Sequence, residues 1–546
     1  MRWAITSLAL LVLTACNGKD DTSAPVASDT DTDTDTDTDT DTDTDTDTDT
    51  DTDTDTDTDT DTDTDTAPDA DGDGYAPPED CDDDDASVNP GAHEDCTNGI
   101  DDDCDGTIDI APAGGWCDGT VTDVSTANTI FEPTFRNTEP GRFLGYVGDV
   151  TGDGEVDLAI GAPGAAGSAG LVWVVDQVVP GLMTEADVVA TFEETAWWAG
   201  LGMVAPASDF DGDGVDDLLI GQSGEGSYGL ATDKMYLLSG PVVGGLGPAD
   251  APLVIDGESD RPWYDYMVLS DAVDVDGDGS PELVFGDPYA DNAGSDGGAI
   301  YLVEGPLVGN YDLPDITSAS VAGAVSGLNV GWADTNVGDL DGDGFDDLAV
   351  GSGDDGAGWP GGVHVFYGPI SGELWHVDGD LALAADPSDE YPMTSIHAGD
   401  LDGDGAPELL AGAHGDPGRV YVGELTKATL ADSGRRIEDA NIGWNIGLGD
   451  FDGDGVDDVT IGSPSWAGFM GGAWVFVGPV DGVMTLADAS VAWYGDVTMA
   501  QAGLAVALNG DINRDGLADL LIGAPTGDRT LPDQGAVHIV YGGGIH

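Results

Sequence analysis

An acidic nine-residue loop recurs seven times after residue 118, and this repeat restricts the fold more than any other feature of the sequence. The loops begin at Asp149, Asp209, Asp274, Asp339, Asp400, Asp450 and Asp511. Each is followed by three mostly apolar residues and a glycine, as in Leu218-Leu219-Ile220-Gly221. A short apolar run bounded by turn residues is typical of a strand buried on both faces. The repeat therefore predicts seven equivalent β units.

A further apolar run follows each unit and predicts the next strand of the same sheet. These runs are 171–175, 234–238, 299–303, 363–367, 420–422, 473–477 and 537–541. Alanine-rich segments such as 186–190 and 487–491 then predict an outer strand. The last repeat lacks this segment, whereas residues 125–131 supply a spare one before the first loop.

The spare segment indicates a closed ring in which the N-terminal strand completes the seventh sheet and removes the open sheet edges. We therefore predict an all-β fold, a seven-bladed β-propeller over residues 118–546. The 50 to 65 residues between successive loops suit a blade of four short strands. A stack of independent sheets and a β-helix are the alternatives.

The loops have the composition of calcium sites. Positions 1, 3, 5 and 9 are acidic in all seven loops, with two exceptions at position 3, Thr151 in the first loop and Asn513 in the seventh. Glycine occupies position 6 throughout. Alternate carboxylates converge on one point, and the glycine permits a sharp turn. Position 7 is so variable that its backbone carbonyl is the expected ligand. Oxygen ligands without His or Cys favour calcium.

The predicted ligands occupy positions 1, 3, 5, 7 and 9 of each loop. They are Asp149, Thr151, Asp153, Glu155, Asp157; Asp209, Asp211, Asp213, Val215, Asp217; Asp274, Asp276, Asp278, Ser280, Glu282; Asp339, Asp341, Asp343, Phe345, Asp347; Asp400, Asp402, Asp404, Ala406, Glu408; Asp450, Asp452, Asp454, Val456, Asp458; and Asp511, Asn513, Asp515, Leu517, Asp519. About seven calcium ions are expected, one for each loop.

The seven sites are not expected to be equal. Thr151 and Asn513 replace a carboxylate at position 3, and Arg514 stands beside Asn513. We expect weaker binding in these two loops. Calcium is expected to stabilise the native fold, as any ligand that binds only the folded state does. A regulatory signal, or a bridge to a ligand, is the alternative role.

The N-terminus indicates export. Residues 1–16 combine Arg2 with an apolar stretch that is too short to span a bilayer. Leu13-Thr14-Ala15-Cys16 resembles the lipobox of bacterial lipoproteins, which implies a signal peptide and lipidation of Cys16. The resemblance implies a lipid-anchored protein of the bacterial cell envelope, at the outer membrane or cell surface, with Asn17 weakly favouring the outer membrane. An ordinary secretory peptide is the alternative.

Two further segments separate the N-terminus from the repeats. Residues 17–68 contain a run of Asp-Thr pairs without an apolar side chain, which predicts a disordered acidic linker. Residues 69–117 form an Asp/Cys-rich module with Cys81, Cys96, Cys104 and Cys117. Export favours disulfides among these cysteines, and four cysteines allow three pairings. A four-cysteine zinc site is the alternative, although no Cys-x2-Cys pair occurs.

The Asp/Cys-rich module also has calcium-loop spacing. The candidate ligands are Asp69, Asp71, Asp73, Asp101, Asp103, Asp105 and Asp109. This spacing predicts about one or two more calcium ions. The segment resembles the metal-binding motif of MopE-like proteins from bacterial envelopes. A disulfide-stapled spacer that binds cations loosely is the alternative.

The repeats resemble the FG-GAP repeats of integrin α-subunit propellers and their bacterial relatives. Gly161-Ala162-Pro163 and Gly523-Ala524-Pro525 match the GAP element, which elsewhere drifts to sequences such as Gly286-Asp287-Pro288. The FG element of the repeat motif is mostly not matched in this sequence. The resemblance implies a propeller that binds a ligand on one face of the disc or at blade junctions.

The charge and the motifs limit the possible functions. The formal net charge of -97 excludes nucleic acid and anionic lipid surfaces as partners. The sequence has no Gly-x-Ser-x-Gly, His-Glu-x-x-His or P-loop motif, so we predict no enzyme. We expect a calcium-binding recognition or adhesion module for a surface protein or glycan, with membrane contact only through the lipid anchor.

Two other functions fit the sequence. A calcium-dependent lectin would use aromatic side chains such as Trp197, Trp198 and Trp263 to stack on sugars, although packing between blades also explains these tryptophans. An envelope structural protein without a specific ligand is the other alternative.

Overall fold

The computed structural model describes residues 120–543, apart from 125–126, 136–137, 166–168, 195–199, 223–233, 258–267, 292–294, 334–337, 355–357, 390, 428, 496, 498 and 528–533. The predictions for Cys16, for the linker and for the Asp/Cys-rich module with its cysteines and candidate ligands lie outside these residues, as do Trp197, Trp198 and Trp263. The domain boundaries therefore stay predictions. In the described part of the chain no helix has the length and apolar character needed to cross a membrane.

The described residues form seven β-sheets, the blades of a propeller, and the predicted fold class is confirmed. In chain order the strands are β1 Thr120–Asp123, β2 Thr129–Phe131, β3 Phe143–Tyr146, β4 Leu158–Ala162, β5 Leu171–Val175, β6 Gly181–Met183, β7 Ala190–Glu193, β8 Leu201–Pro206, β9 Leu218–Gln222, β10 Lys234–Leu238, β11 Gly244–Leu246, β12 Leu253–Asp256, β13 Val268–Val273, β14 Glu282–Asp287, β15 Ala299–Val303, β16 Gly309–Asp312, β17 Ala319–Ala322, β18 Leu348–Ser352, β19 Gly362–Phe366, β20 Gly372–Trp375, β21 Leu381–Ala384, β22 Tyr391–Gly399, β23 Glu408–His414, β24 Gly418–Gly423, β25 Arg436–Asp439, β26 Asn445–Gly449, β27 Asp458–Gly462, β28 Gly472–Phe476, β29 Val483–Met484, β30 Val491–Tyr494, β31 Val506–Gly510, β32 Asp519–Ala524 and β33 Ala536–Val540. Short helical turns lie at α1 Leu313–Ile316, α2 Trp466–Phe469, His376–Asp378, Leu430–Ser433 and Leu486–Asp488.

Each blade is an antiparallel sheet whose first strand faces the axis of the ring. The first blade has the order β3-β4-β5-β7, and β11 from the following repeat pairs in parallel with its outermost strand. Six of the seven sheets have this five-stranded form; the fourth shows β18, β19 and β21 among the described residues. In these six blades the parallel fifth strand joins the outer edge to the next blade of the ring.

The second strand of each blade is buried on both faces, as its apolar sequence predicts. All five residues of β4, β9, β18 and β27 are buried because neighbouring blades cover both faces of the sheet. The glycine that ends the apolar run permits this packing: a Cβ at Gly161 would lie 1.9 Å from the carbonyl oxygen of Gly202 in the next blade. Equivalent contacts recur at Gly286, Gly412, Gly462 and Gly523.

The N-terminal strand closes the ring as predicted. β2 pairs antiparallel with β33, and Phe131 lies opposite Val537. The fourth strand of the last blade therefore comes from the start of the repeat region. β1 lies parallel beside β30 at the edge of the sixth blade.

The predicted outer strands were placed about four residues too early. Residues 186–190 were expected to be a strand, but β7 begins at Ala190, and β30 begins at Val491 rather than at residue 487. The preceding residues turn because Asp187 accepts a hydrogen bond from the Thr184 amide (2.8 Å). An aspartate side chain that bonds to the nearby backbone favours a turn over a strand.

The innermost strand of each blade was missing from the sequence prediction. β3 illustrates why: its four residues include Gly145, and three of the four are only half-buried. A strand that faces an axial channel lacks the continuous apolar run that marks the second strand. In the six blades whose first strand is described, the acidic loop lies between the first and second strands.

Ring closure predicts a large difference between two nearby phenylalanines. Phe131 is 1% exposed and its ring lies 5.1 Å from that of Trp173, whereas Phe135 is 42% exposed and lies 6.3 Å from the same ring. Phe131→Ala should lower the free energy of unfolding by about 3–5 kcal/mol, the usual cost of removing a buried phenylalanine. Phe135→Ala, the control, should change it by less than about 1 kcal/mol. Urea unfolding measures both, and equal effects would contradict closure through β2.

Candidate metal centres in the acidic loops

The acidic loops all lie at one end of the ring. Each ends at the second strand of a blade, and in the six blades whose first strand is described it connects the first strand to the second, as the loop 149–157 connects β3 to β4. Because the blades have equivalent strands, this connection falls at the same end of each sheet. The connections between the third and fourth strands reach the same end. We call this end the acidic face.

Carboxylates at positions 1 and 5 fold each loop around itself. The position-1 carboxylate accepts a hydrogen bond from the glycine amide at position 6 in all seven loops, at 2.7–3.0 Å. The position-5 carboxylate accepts one from the amide of position 7, at 2.8–3.0 Å. The position-6 glycines have φ between 85° and 95°, a left-handed conformation that a side chain would disfavour.

Five loops bring three carboxylates together. Within each cluster the candidate ligand oxygens lie within 4.8 Å of one another. In the second, third and fifth loops the cluster joins positions 1, 3 and 5; in the fourth and sixth it joins positions 1, 3 and 9. The clusters are Asp209, Asp211 and Asp213; Asp274, Asp276 and Asp278; Asp339, Asp341 and Asp347; Asp400, Asp402 and Asp404; and Asp450, Asp452 and Asp458.

The position-9 acid has a structural role that the sequence did not reveal. Its side chain is buried in every loop. One oxygen accepts a hydrogen bond from the amide of position 2 or 3, at 2.7–3.0 Å. In four blades the other oxygen accepts one from a glycine just after the third strand, as Asp458 Oδ1 does from Gly478 (2.7 Å). The acid thus joins the loop to the rest of its blade.

Burial makes these acids harder to ionise. It raises the pKa of Asp157, Asp217, Glu282 and Asp458 to about 7 and that of Asp519 to about 6. It also raises the pKa of Asp347 and Glu408, although hydrogen bonds from backbone amides oppose the increase.

Two buried carboxylate oxygens in the loops have no hydrogen-bond partner among the residues that the structure describes. They are Asp209 Oδ1 in the second loop and Glu282 Oε1 in the third. A buried polar atom without a partner carries a free-energy cost that a bound cation would remove. The surrounding ligands are all oxygens, which suit a hard cation such as calcium. The residues of these loops therefore fit the predicted ion.

The first and seventh loops differ from the others at position 3. Thr151 Oγ1 donates a hydrogen bond to Asp157 Oδ1 (3.3 Å). Asn513 Nδ2 donates to Asp515 Oδ2 (3.0 Å) and to Asp519 Oδ1 (3.1 Å). In these loops the position-3 side chain donates hydrogen bonds to acids of its own loop, whereas in the other five loops position 3 is itself a carboxylate. Weaker binding here stays a prediction.

Two arginines reach the acidic loops. Arg514 contacts the first loop, with Nη2 lying 3.2 Å from Asp153 Oδ2 and Nε 3.6 Å from Glu155 Oε2. Arg514 thus stands in the seventh loop of the sequence but pairs with acids of the first loop, and weaker calcium binding in these two loops stays a prediction. Arg435 contacts the fifth loop at Asp402 and Glu408. No sequence pattern links Arg435 to this loop, because the residue is remote from it in the chain.

Position 8 links neighbouring loops in alternate blades. Asp216 Oδ2 accepts a hydrogen bond from the Asp149 amide of the preceding loop (2.8 Å). Asp346 and Asp457 make the same contact with the amides of position 1 in the third and fifth loops, at 3.1 and 3.0 Å. Each of these loops therefore restrains the position-1 residue of its neighbour.

Family models match the repeats and the N-terminal module. The model described as "FG-GAP repeat" matches residues 145–175, 442–476 and 504–540, and that described as "FG-GAP-like repeat" matches 339–411. These matches show FG-GAP repeats within the seven-bladed propeller. The model described as "Putative metal-binding motif", of the MopE type, matches residues 80–109, which lie outside the described residues.

The chain is similar to parts of longer curated proteins. Integrin alpha-PS2 of Drosophila melanogaster is 29% identical over 225 residues, which cover 38% of this chain and 15% of the relative. Integrin alpha-5 of Xenopus laevis is 28% identical over 41% of this chain and 21% of the relative. Phosphatidylinositol-glycan-specific phospholipase D of Homo sapiens is 26% identical over 32% of this chain and 21% of the relative. The chain thus matches about a fifth or less of these relatives' lengths.

The buried acids predict that the metal-free protein becomes less stable as the pH rises. A raised pKa means that the native state holds protons which the unfolded chain releases, so stability falls as the pH rises through about 7. In chelator, the melting temperature should be lower at pH 8 than at pH 5.5.

General repulsion among the many acids changes stability in the same direction, so a variant is needed to separate the two effects. Asp217→Asn removes one titrating buried acid and should make the decline with pH shallower. If the melting temperature of this variant falls with pH as steeply as that of the wild type, the raised pKa assigned to Asp217 is contradicted.

Proposed function

We propose that this chain is a calcium-stabilised recognition module that is exported and anchored at the bacterial cell surface, where it binds a surface protein. The observation that carries the calcium assignment is the partnerless Glu282 Oε1, buried in a loop where three further carboxylates converge. The adhesive role is supported by the similarity to integrin α chains.

The anchor and the N-terminal module complete the proposal. Cys16 would carry the lipid, and residues 17–68 would hold the propeller away from the membrane. Residues 69–117 would bind about one or two more calcium ions in a disulfide-stapled module. The match to a metal-binding model at residues 80–109 supports the metal assignment for this segment.

We propose that the module has no catalytic activity. Some relatives are named as phospholipases, but the shared segment covers only 19 to 21% of them. Relatives named as integrins match a similar share of the chain. Similarity to both groups over such partial lengths favours a common binding or scaffold role over the phospholipase reaction.

Calcium should raise the melting temperature of the full chain. Each site with a dissociation constant near 10⁻⁴ M contributes about 1.4 kcal/mol at ~1 mM calcium. Magnesium at the same concentration should have a smaller effect because it demands stricter geometry. Differential scanning calorimetry in calcium, magnesium and chelator, with bound calcium counted by atomic emission, measures both quantities.

Asp276→Asn tests a single loop. Asparagine retains an oxygen that can accept the amide hydrogen bond now made to Asp276 Oδ1 (3.1 Å), while the charge is lost. The variant should bind calcium less tightly at this loop. Glu373→Gln, on the exposed strand β20, is the control and should bind as the wild type does. No calcium binding by the wild-type chain would overturn the calcium assignment.

A lectin is the second candidate, favoured by Trp444. This side chain is 41% exposed, stacks edge-on against His414 at 4.7 Å and precedes β26 at the end opposite the acidic face. Exposed aromatic rings of this kind can stack on sugars. Binding to a glycan array that is lost in Trp444→Ala would favour the lectin over the protein receptor. Trp375→Ala is the control, since Trp375 is equally exposed but lies on an outer strand.

A further inference from the structure

The third and fifth acidic loops are nearly identical in sequence. Residues 274–282 read DVDGDGSPE and residues 400–408 read DLDGDGAPE. Their position-9 acids, Glu282 and Glu408, are 2% and 7% exposed. In both, the Oε2 atom accepts a hydrogen bond from the amide of position 2, at 3.0 Å. The two loops therefore form a natural matched pair.

The two loops differ in what contacts the second oxygen of the glutamate. Glu282 Oε1 is buried without a hydrogen-bond partner. Glu408 Oε1 lies 3.3 Å from Arg435 Nη2, and Arg435 Nη1 lies 3.2 Å from Asp402 Oδ2. One guanidinium group thus bridges the acids at positions 3 and 9, both of which are predicted calcium ligands.

The backbone places Arg435 at the fifth loop. The residue lies between the third and fourth strands of its blade, at the acidic face. Gly434 turns the chain there with φ of 72°, and the Arg435 carbonyl accepts a hydrogen bond from the Val422 amide (3.1 Å). Only 10% of the Arg435 side chain is exposed, so it is held within the protein.

The next residue shows that the contact is specific to Arg435. Successive residues entering a strand point in opposite directions. Arg436 begins β25 and its Nε lies 2.9 Å from Glu438 Oε2 on the same strand. Arg436 is therefore a neighbouring arginine paired with an acid outside the acidic loops.

We propose that Arg435 is the resident cation of the fifth loop, which therefore folds without calcium, whereas the third loop takes an ion. The inference rests on the proposed calcium binding. An ion at the fifth loop would have to displace a largely buried guanidinium from two acids, and breaking a buried ion pair carries a large free-energy cost. The convergence of Asp400, Asp402 and Asp404 alone does not distinguish this loop from the third.

Arg435→Gln in the full chain tests the inference through the number of bound calcium ions. Removing the guanidinium should free the acids, so the variant should bind one more ion than the wild type at millimolar calcium. Arg436→Gln makes the same charge change one residue away and should leave the number unchanged. An equal count in Arg435→Gln and wild type would overturn the inference.

Melting in chelator gives a second measurement. Arg435→Gln should then melt at a lower temperature than Arg436→Gln, because the fifth loop has lost its counter-charge. Added calcium should raise the melting temperature of Arg435→Gln by more than it raises that of the control Arg436→Gln. If calcium does not reduce the difference in melting temperature between the two variants, the inference is also contradicted.

Substitution of the position-9 acids Glu282 and Glu408 tests the inference without removing the arginine. Glu282→Gln should lose one bound calcium ion, whereas Glu408→Gln should lose none. If both variants lose one ion, Arg435 does not replace calcium, although the proposed calcium binding stands. If the wild-type chain binds no calcium, both the proposed function and this inference fail.

Discussion

A buried carboxylate at the start of each second strand is the constraint on which the other features of the propeller depend. Burial of an acid is unfavourable unless hydrogen bonds or a cation compensate for the lost water. In this chain the loop amides and, in four blades, a glycine after the third strand supply those bonds. The acid therefore holds the loop against the sheet, and the loop presents its other carboxylates at the surface. The side chain that anchors the loop is thus also one of its predicted metal ligands.

The contact between blades explains why the repeat unit includes both the loop and the glycine that follows it. At Gly161 the backbone of the next blade comes too close for any side chain. At the acidic face, Asp216 extends the same contact through a hydrogen bond to the preceding loop. Blades are therefore joined both through their apolar faces and through their loops, so a cation bound in one loop would also restrain the position-1 residue of a neighbour.

The sequence predicted the parts of the fold that have a local and repeated signal. The second and third strands, the acidic loops and the closing role of the N-terminal strand follow from apolar runs and from the count of outer strands. The innermost strands lack such a run because they face the axial channel, and Asp187 explains why the outer strand begins later than the alanine-rich segment suggests. Local propensity was there overridden by a side-chain hydrogen bond to the backbone.

Within the candidate metal centres, the convergence of carboxylates in five loops could be predicted but the differences among loops could not. Spacing alone gives the third and fifth loops the same ligands, and only the tertiary structure shows that Arg435 lies against one of them. A positive charge supplied from another strand leaves no pattern within the loop that it contacts. Because the chain has only 12 basic residues against 109 acidic ones, each arginine placed beside a loop changes the local charge substantially. Under the proposal for Arg435, a ring of seven similar loops combines predicted calcium sites with one loop that carries its own cation, so that part of the acidic face would keep its counter-charge when calcium is scarce.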